Sequence, residues 1–328
     1  MKSFPASIAT RVVPLVFNAY RSQRLSILIY HRVLPQRDPM RAAEPTVEEF
    51  DTQMRILHEY FQPLPLLDAV EKLEMGTLPN GAVCVTFDDG YADNEIHAMP
   101  VLKKYGIPAT VFVSTGFLNG GRMWNDSVIE VLRSCKGEVL DLRELDLDCY
   151  SVGSTEQRVH AAERILQQIK HLDPQDRLAL VNEIRKRGPK LPDDLMMTDA
   201  QVQSLAQNGI TIGAHTVNHP ILASINNDHA RREIQESKQY LEALLQTSID
   251  VFAYPNGRPE LDYTAQHRDL VSELGFKAAV STHWGVGTRL SDNFQLPRFT
   301  PWDRHPLKFA VRLLANYRNI DPLIATPG

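Results

Sequence analysis

Short apolar, β-branched runs alternate with helical segments along most of this chain, and that alternation restricts its fold more than any other feature. SILIYH (Ser26 to His31), the run Ala82 to Val85, ATVFVS from Ala109, Ile210 to Ala214, VFAYP from Val251 and KAAVS from Lys277 read as buried strands. The segments between them carry helix signals. Thr46 and Glu49 form a capping box before Val47, Phe50, Met54, Leu57 and Phe61 at helical spacing. Leu66 to Met75 is a second short helix, and Met99 to Tyr105 ends another at Gly106. Thr198 and Gln201 box a helix that stops at Gly209. Asp228 caps a long one through Gln246, with Ala230, Ile234, Tyr240, Leu241, Leu244 and Leu245 on its inner side. This order implies parallel strands covered by helices.

Between Phe117 and Pro192 the alternation lapses. Trp124 and Asn125, a leucine-acidic stretch from Val139 to Asp148, and helical sequence rich in Gln, Arg and Lys follow one another. No Pro/Gly/Ser linker flanks them, so residues 117–195 read as a helical insertion over the mouth of the main domain, which spans 25–328. Trp124 is a candidate for stacking on a sugar ring, with plain packing as its alternative. At 328 residues and 43% hydrophobic, the chain can bury one large α/β core with such an insertion. A net charge of −5 without a basic stripe argues against nucleic acid as partner; RKRGPK (Arg185 to Lys190) reads as a solvated helix end. Cys84, Cys135 and Cys149 form neither a disulfide framework nor a paired metal motif. This suits a reducing compartment, with Cys84 in the core.

Residues 1–24 hold Lys2, Arg11, Arg21 and Arg24 around a short apolar run broken by Pro14. That run is too short to span a membrane. It fits a helix packed on the main domain or one resting on an anionic membrane surface. The expected location is cytoplasmic, peripheral to the inner membrane, with the periplasm as alternative; no oligomeric state is specified.

Two strings placed directly after strands carry the chemistry. TFDDG ends a buried strand in adjacent carboxylates, Asp88 and Asp89, and a turn at Gly90 lets both face one site. HTVNH sets His215 and His219 four residues apart; a helix there would put both rings on one face. One carboxylate with two imidazoles makes an open three-ligand set, the catalytic pattern for zinc, and leaves the other Asp free as a base.

TFDDG and HTVNH resemble the first two motifs of the polysaccharide deacetylases, the NodB-homology group or carbohydrate esterase family 4. The likeness continues through FAYPNG (Phe252 to Gly257) and LPRF (Leu296 to Phe299) and, with YHRV at the start, spans roughly Ser26 to Trp302 in the manner of the exopolysaccharide-biosynthesis branch. The resemblance implies a distorted, incomplete (β/α) barrel of seven strands with chemistry at their carboxyl ends. It implies a divalent metal on Asp89, His215 and His219, most plausibly zinc, with nickel, cobalt and manganese as alternatives. Asp88 would be the general base. Thr216 would orient His215 or the substrate, and a backbone N–H of Tyr254 or Asn256 would help hold the oxyanion. The implied substrate is an acetylated glycan.

The chain departs from the family pattern at the third and fifth motifs. Ala253 and Asn256 stand where an Arg and an aromatic are usual, and LPRF lacks the usual acid His. Arg298 is the candidate to supply the missing charge, and His31 the candidate acid, because a barrel brings the first strand beside the last. His97 and His283 are rivals to His31. The expected activity is N-deacetylation of an amino sugar in a polymer, oligosaccharide or lipid-linked glycan. An O-acetyl or N-formyl deacylase and an inactive glycan-binding protein are the alternatives.

Overall fold

In the computed structural model, residues 23–320 and 322–326 are described, so the N-terminal segment expected over 1–24 lies almost wholly outside them. Nine strands occur among the described residues: β1 (Ser26–Tyr30), β2 (Gln62–Pro63), β3 (Ala82–Phe87), β4 (Ala109–Val113), β5 (Val139–Asp141), β6 (Cys149–Ser151), β7 (Thr211–Ala214), β8 (Val251–Ala253) and β9 (Ala278–Val280). Seven make one sheet in the order β1-β3-β4-β7-β8-β9, with β2 added beside the start of β3. Every pairing in it is parallel. The segment Leu296 to Phe299 then bridges β9 and β1. Leu296 N–H donates to Ala279 O at 3.0 Å and Phe299 N–H to Ile27 O at 2.7 Å, which closes the curved sheet. The LPRF segment and the first strand are therefore neighbours, as a barrel requires.

Strand alternation sorts the core into two shells. Ile27, Cys84, Phe112, Val251, Ala253, Ala278, Val280 and Leu296 share one buried cluster inside the curve. Leu66, Ala69, Val70 and Leu73 of the Leu66–Met75 helix join that cluster and plug it. Their neighbours Leu28, Val83, Val85, Val111, Ile212, Phe252 and Phe299 face outward under the helices. Each fully buried side chain of this size contributes about 1.5–3 kcal/mol, and with both faces of the sheet covered the two shells together supply the main driving force for the fold. Gly213 is tied to this packing, because a Cβ there would lie 2.4 Å from the Phe112 ring.

Three local expectations need correction. The Asn227–Leu245 helix is capped by Asn226, whose side chain accepts from the His229 N–H, and not by Asp228. Tyr240 is on its outer side, 39% exposed, with its hydroxyl donating to Asp199. The segment over 117–195 holds helices Trp124–Ser134, Thr155–Ile169 and Pro174–Arg185, but also an antiparallel hairpin of β5 and β6. The leucine-acidic stretch is thus strand and turn. Val128, Leu132, Leu142, Val152, Ile165 and Ile184 give this segment its own small core. Arg41 ties it to the main domain through Asp126 at 2.7 Å, and Tyr91 donates to the same carboxylate at 3.0 Å. No helix among the described residues is long and apolar enough to cross a membrane.

Candidate active site

The inward parity of the strands runs directly into the chemistry. Asp88 N–H donates to Tyr30 O at 2.9 Å, continuing the β1–β3 ladder, so Asp88 points inward in step with Cys84 and Thr86. Simple alternation would send Asp89 outward. Instead Asp89 has φ 76° and Gly90 φ 89°, and these successive left-handed residues swing the second carboxylate back. The expected break at Gly90 thus begins one residue earlier. At Gly90 a Cβ would also meet the Val113 side chain at 3.1 Å.

The HTVNH segment is not helical. His215 extends β7, with its N–H on Val113 O at 3.1 Å, and the chain then turns through Thr216 (φ 64°) and His219 (φ 51°). The Thr216 hydroxyl accepts the His219 N–H at 3.1 Å and donates to His215 O at 2.5 Å. Glu233, buried on the Asn227–Leu245 helix, accepts from the Val217 and Asn218 N–H groups at 3.0 and 2.8 Å and from the Asn218 amide at 2.8 Å. A loop pinned by Thr216 and Glu233, rather than one helix face, brings the two rings together. Sequence reasoning missed Glu233, which offers no signal beyond an acidic residue on a helix.

His215 Nδ1 lies 2.7 Å from Ala253 O; a carbonyl only accepts, so Nδ1 carries the hydrogen and Nε2 keeps a lone pair. Asp89 Oδ1 stands 3.6 Å from His215 Nε2 and 3.4 Å from His219 Nε2. It is buried and accepts no hydrogen bond among the described residues. The ligating atoms of Asp89, His215 and His219 all lie within 4.8 Å of one another. Burial first, then the neighbouring Asp88 charge acting against His31, raises the Asp89 carboxyl to about 7. Burial, against the attraction of Asp88, lowers His215 to about 4, and burial with His215 beside it lowers His219 too. An orphaned buried oxygen facing two neutral imidazoles fits a divalent cation.

Asp88 is held differently. Arg298, fully buried, clamps it with two N–H···O bonds of 2.7 Å and spends further donors on Ser281 O at 2.8 Å and Thr86 Oγ1 at 3.3 Å. Burial alone would raise the Asp88 carboxyl, but the Arg298 charge and hydrogen bonds hold it down at about 2. Arg298 thus places beside Asp88 the charge that is missing at Ala253. Its guanidinium has no free face, so it binds Asp88 and not substrate.

A cavity of about 510 Å³ opens over these groups, lined by His31, Glu44, Asp88, Asp89, His215, His219, Asn256, Thr282 and Thr300 from the main domain. Trp124, Asn125, Lys170 and Arg177 of the 117–195 segment also line it. His31 keeps the inward parity of Ile27 and Ile29. Burial opposes its charged form, but the carboxylates of Asp89, Glu44 and Asp88 outweigh that and raise its pKa. Neither His97 nor His283 lines the cavity; His283 Nδ1 instead accepts the Leu323 N–H at 3.2 Å.

Thr216, fully buried in its turn, bonds to His215 O and the His219 N–H, which is the orienting half of its expected role and leaves no contact with the cavity. The expectation for Tyr254 fails. Tyr254, next to inward Ala253, faces outward, stacked on Tyr263 at 3.8 Å, and its N–H is bound to Val280 O. Asn256 (φ 57°) does reach the cavity, and Trp124 does so with the Arg177 guanidinium 4.8 Å from its ring centroid.

The family model for polysaccharide deacetylases matches residues 75–141 and 154–279, more than half of the chain, and breaks only across the hairpin of the 117–195 segment. The chain belongs to the polysaccharide deacetylase family. It is 24% identical over 277 residues to YxkH of Bacillus subtilis (strain 168), a protein named for polysaccharide deacetylation, covering 84% of this chain and 70% of that one. Its fold is similar to that of the Streptococcus pyogenes deacetylase PplD, solved with acetate. There the TM-score is 0.59 and the identity 22%, over 89% of this chain and 98% of that one. IcaB from Ammonifex degensii gives 0.55 and 20%, over 88% and 95%. The BpsB deacetylase domain from Bordetella bronchiseptica gives 0.53 and 18%, over 85% and 96%. The barrel and the family expected from the motifs are thereby borne out.

Proposed function

We propose that this protein is a metal-dependent N-deacetylase that releases acetate from an N-acetylated amino sugar of a polysaccharide, oligosaccharide or lipid-linked glycan of the exopolysaccharide type. The observation that carries the reading is the pairing, in one cavity, of an orphaned carboxylate between two neutral imidazoles with a second carboxylate locked in its ionised form. Asp89, His215 and His219 would hold the ion, and their donor set suits zinc first. When bound, such an ion supplies Lewis-acid chemistry, raising the acidity of water and the electrophilicity of an acetamide carbonyl.

The chain's own residues do the rest. Asp88 takes a proton from the water that attacks the carbonyl carbon, and Arg298 keeps that carboxylate charged and aimed. His31, raised toward its charged form, gives a proton to the sugar nitrogen as the C–N bond breaks, so acetate and a free amine leave. Asn256 lines the same cavity, and its backbone N–H is the proposed donor to the developing oxyanion. Trp124 offers an aromatic wall to the sugar ring.

The role of His31 is tested with two leaving groups. His31→Ala should cut release of acetate from an N-acetylated oligosaccharide by about 10²–10⁴-fold. Metal content should stay unchanged, and hydrolysis of an activated aryl acetate, whose leaving group needs no proton, should suffer far less. Equal loss on both substrates would remove His31 from this role.

A further inference from the structure

Two cations on the cavity wall have no carboxylate bonded to them. Lys170 is the C-cap of the Thr155–Ile169 helix and Arg177 stands in the first turn of Pro174–Arg185; both line the cavity that Asp88 and His219 line. Arg177 is 5% exposed, and its guanidinium donates to Lys170 O at 2.9 Å while lying over Trp124. Among the described residues no carboxylate comes within 4.0 Å of either cation. Asp173 and Asp262 act on them only through space, the first accepting from Gln175 N–H and the second from Arg258 N–H.

The contrast lies on the same wall. Arg32 pairs with Asp93 at 2.7 Å, and Arg41 with Asp126 at 2.7 Å and Glu130 at 3.0 Å. A buried guanidinium without a counter-charge is costly. Capping a helix end explains one of its donors, and packing on Trp124 explains its plane. Neither explains a second unpaired cation at its side, facing the same cavity.

We propose that Lys170 and Arg177 form an anion subsite. The glycan that is deacetylated carries an oxyanion, a carboxylate or a phosphate ester, on or next to the acetamido sugar that rests against Trp124. Arg177 offers a planar fork and Lys170 a point charge, the combination that recognises such groups. This inference rests on the deacetylase reading and adds the substrate's charge to it.

The test uses the metal-loaded protein and three N-acetylated oligosaccharides of equal length: one neutral, one with a uronic acid beside the acetamido sugar, one with a phosphate ester there. A charge-assisted contact predicts at least roughly tenfold higher kcat/KM for one anionic substrate over the neutral one. Which anion gains identifies the source. In Lys170→Gln and Arg177→Gln that preference should fall toward unity. Arg177→Gln also removes a helix-end bond, so Lys170→Gln carries the test alone if Arg177→Gln does not fold. Equal kcat/KM for all three substrates, or variants that lower all three alike, would overturn the subsite. If none releases acetate, the deacetylase reading fails instead. Calorimetric binding of the same three glycans then decides the subsite: tighter anionic binding that Lys170→Gln abolishes supports it, and equal binding overturns it.

Discussion

The floor and the wall of the cavity obey different rules. On the floor, Asp88, His215, His31 and Arg298 stand where strand parity puts them, each in step with inward neighbours such as Thr86, Gly213, Ile29 and Leu296. Parallel ladders back their positions, and all but the half-buried His31 are buried in the packed interior. The wall is built by exception. Asp89 and His219 reach the site only through left-handed backbone. Trp124, Lys170 and Arg177 arrive from a separate small core. On the proposed reading the floor supplies the base, the acid and one metal ligand, and the wall the other two ligands and the groups that face the glycan.

The largest effect should come from removing the clamp on Asp88. Arg298→Met leaves the Asp88 charge buried and unpaired, which should cost about 3–5 kcal/mol in denaturant unfolding together with nearly all turnover. Replacing both, Asp88→Leu with Arg298→Met, should restore much of that stability and none of the activity. If Arg298→Met is fully stable, the clamp is not what holds the floor.

Next comes the pinned loop. Glu233→Ala removes the acceptor of two backbone N–H groups and should loosen His219. A drop in metal affinity of about 10–100-fold is expected, with about 1–3 kcal/mol of lost stability. Glu233→Gln keeps an acceptor and should recover part of both. Unchanged metal affinity in Glu233→Ala would show that the loop holds its form without the clamp.

The smallest effect is a proton. With Asp89 raised to about 7 in the metal-free protein, metal uptake below that pH must displace its proton. Affinity should fall about tenfold per pH unit from 7 to 5, and calorimetry in buffers of different ionisation enthalpy should detect the release. The sign for stability follows. In the metal-free protein the Asp89 contribution is present below the ordinary carboxylate range and is lost as pH rises through about 7. Asp88, lowered to about 2, contributes above that range and is lost only as pH falls through 2.

Legibility in the sequence follows the same division. Strands, capping boxes and the closure of LPRF against the first strand were readable because alternation and caps are local signals; the Leu66–Met75 helix keeps its expected bounds. The Tyr254 N–H, an oxyanion-donor candidate, is instead used by the sheet on Val280 O, a pairing that local signals do not announce. The φ of Asp89 and the turn at Thr216 were not readable, since positive φ is uncommon outside glycine and the enrichment of Asp, Asn and His there is too weak to mark single positions. Glu233, Glu44, Lys170 and Arg177 are brought in by tertiary packing across long stretches of chain, which no periodicity announces.

The central claim is that Asp89, His215 and His219 hold an ion while Asp88 uses it to remove N-acetyl groups. Acetate release from N-acetylated oligosaccharides, read beside elemental analysis, tests this most directly. The account predicts near-stoichiometric divalent metal and acetate release in the native protein, loss of both in His215→Ala, and retained metal with about 10²–10⁴-fold slower release in Asp88→Asn. Full activity in a metal-free native protein, or an Asp88→Asn variant as fast as the native one, would contradict it.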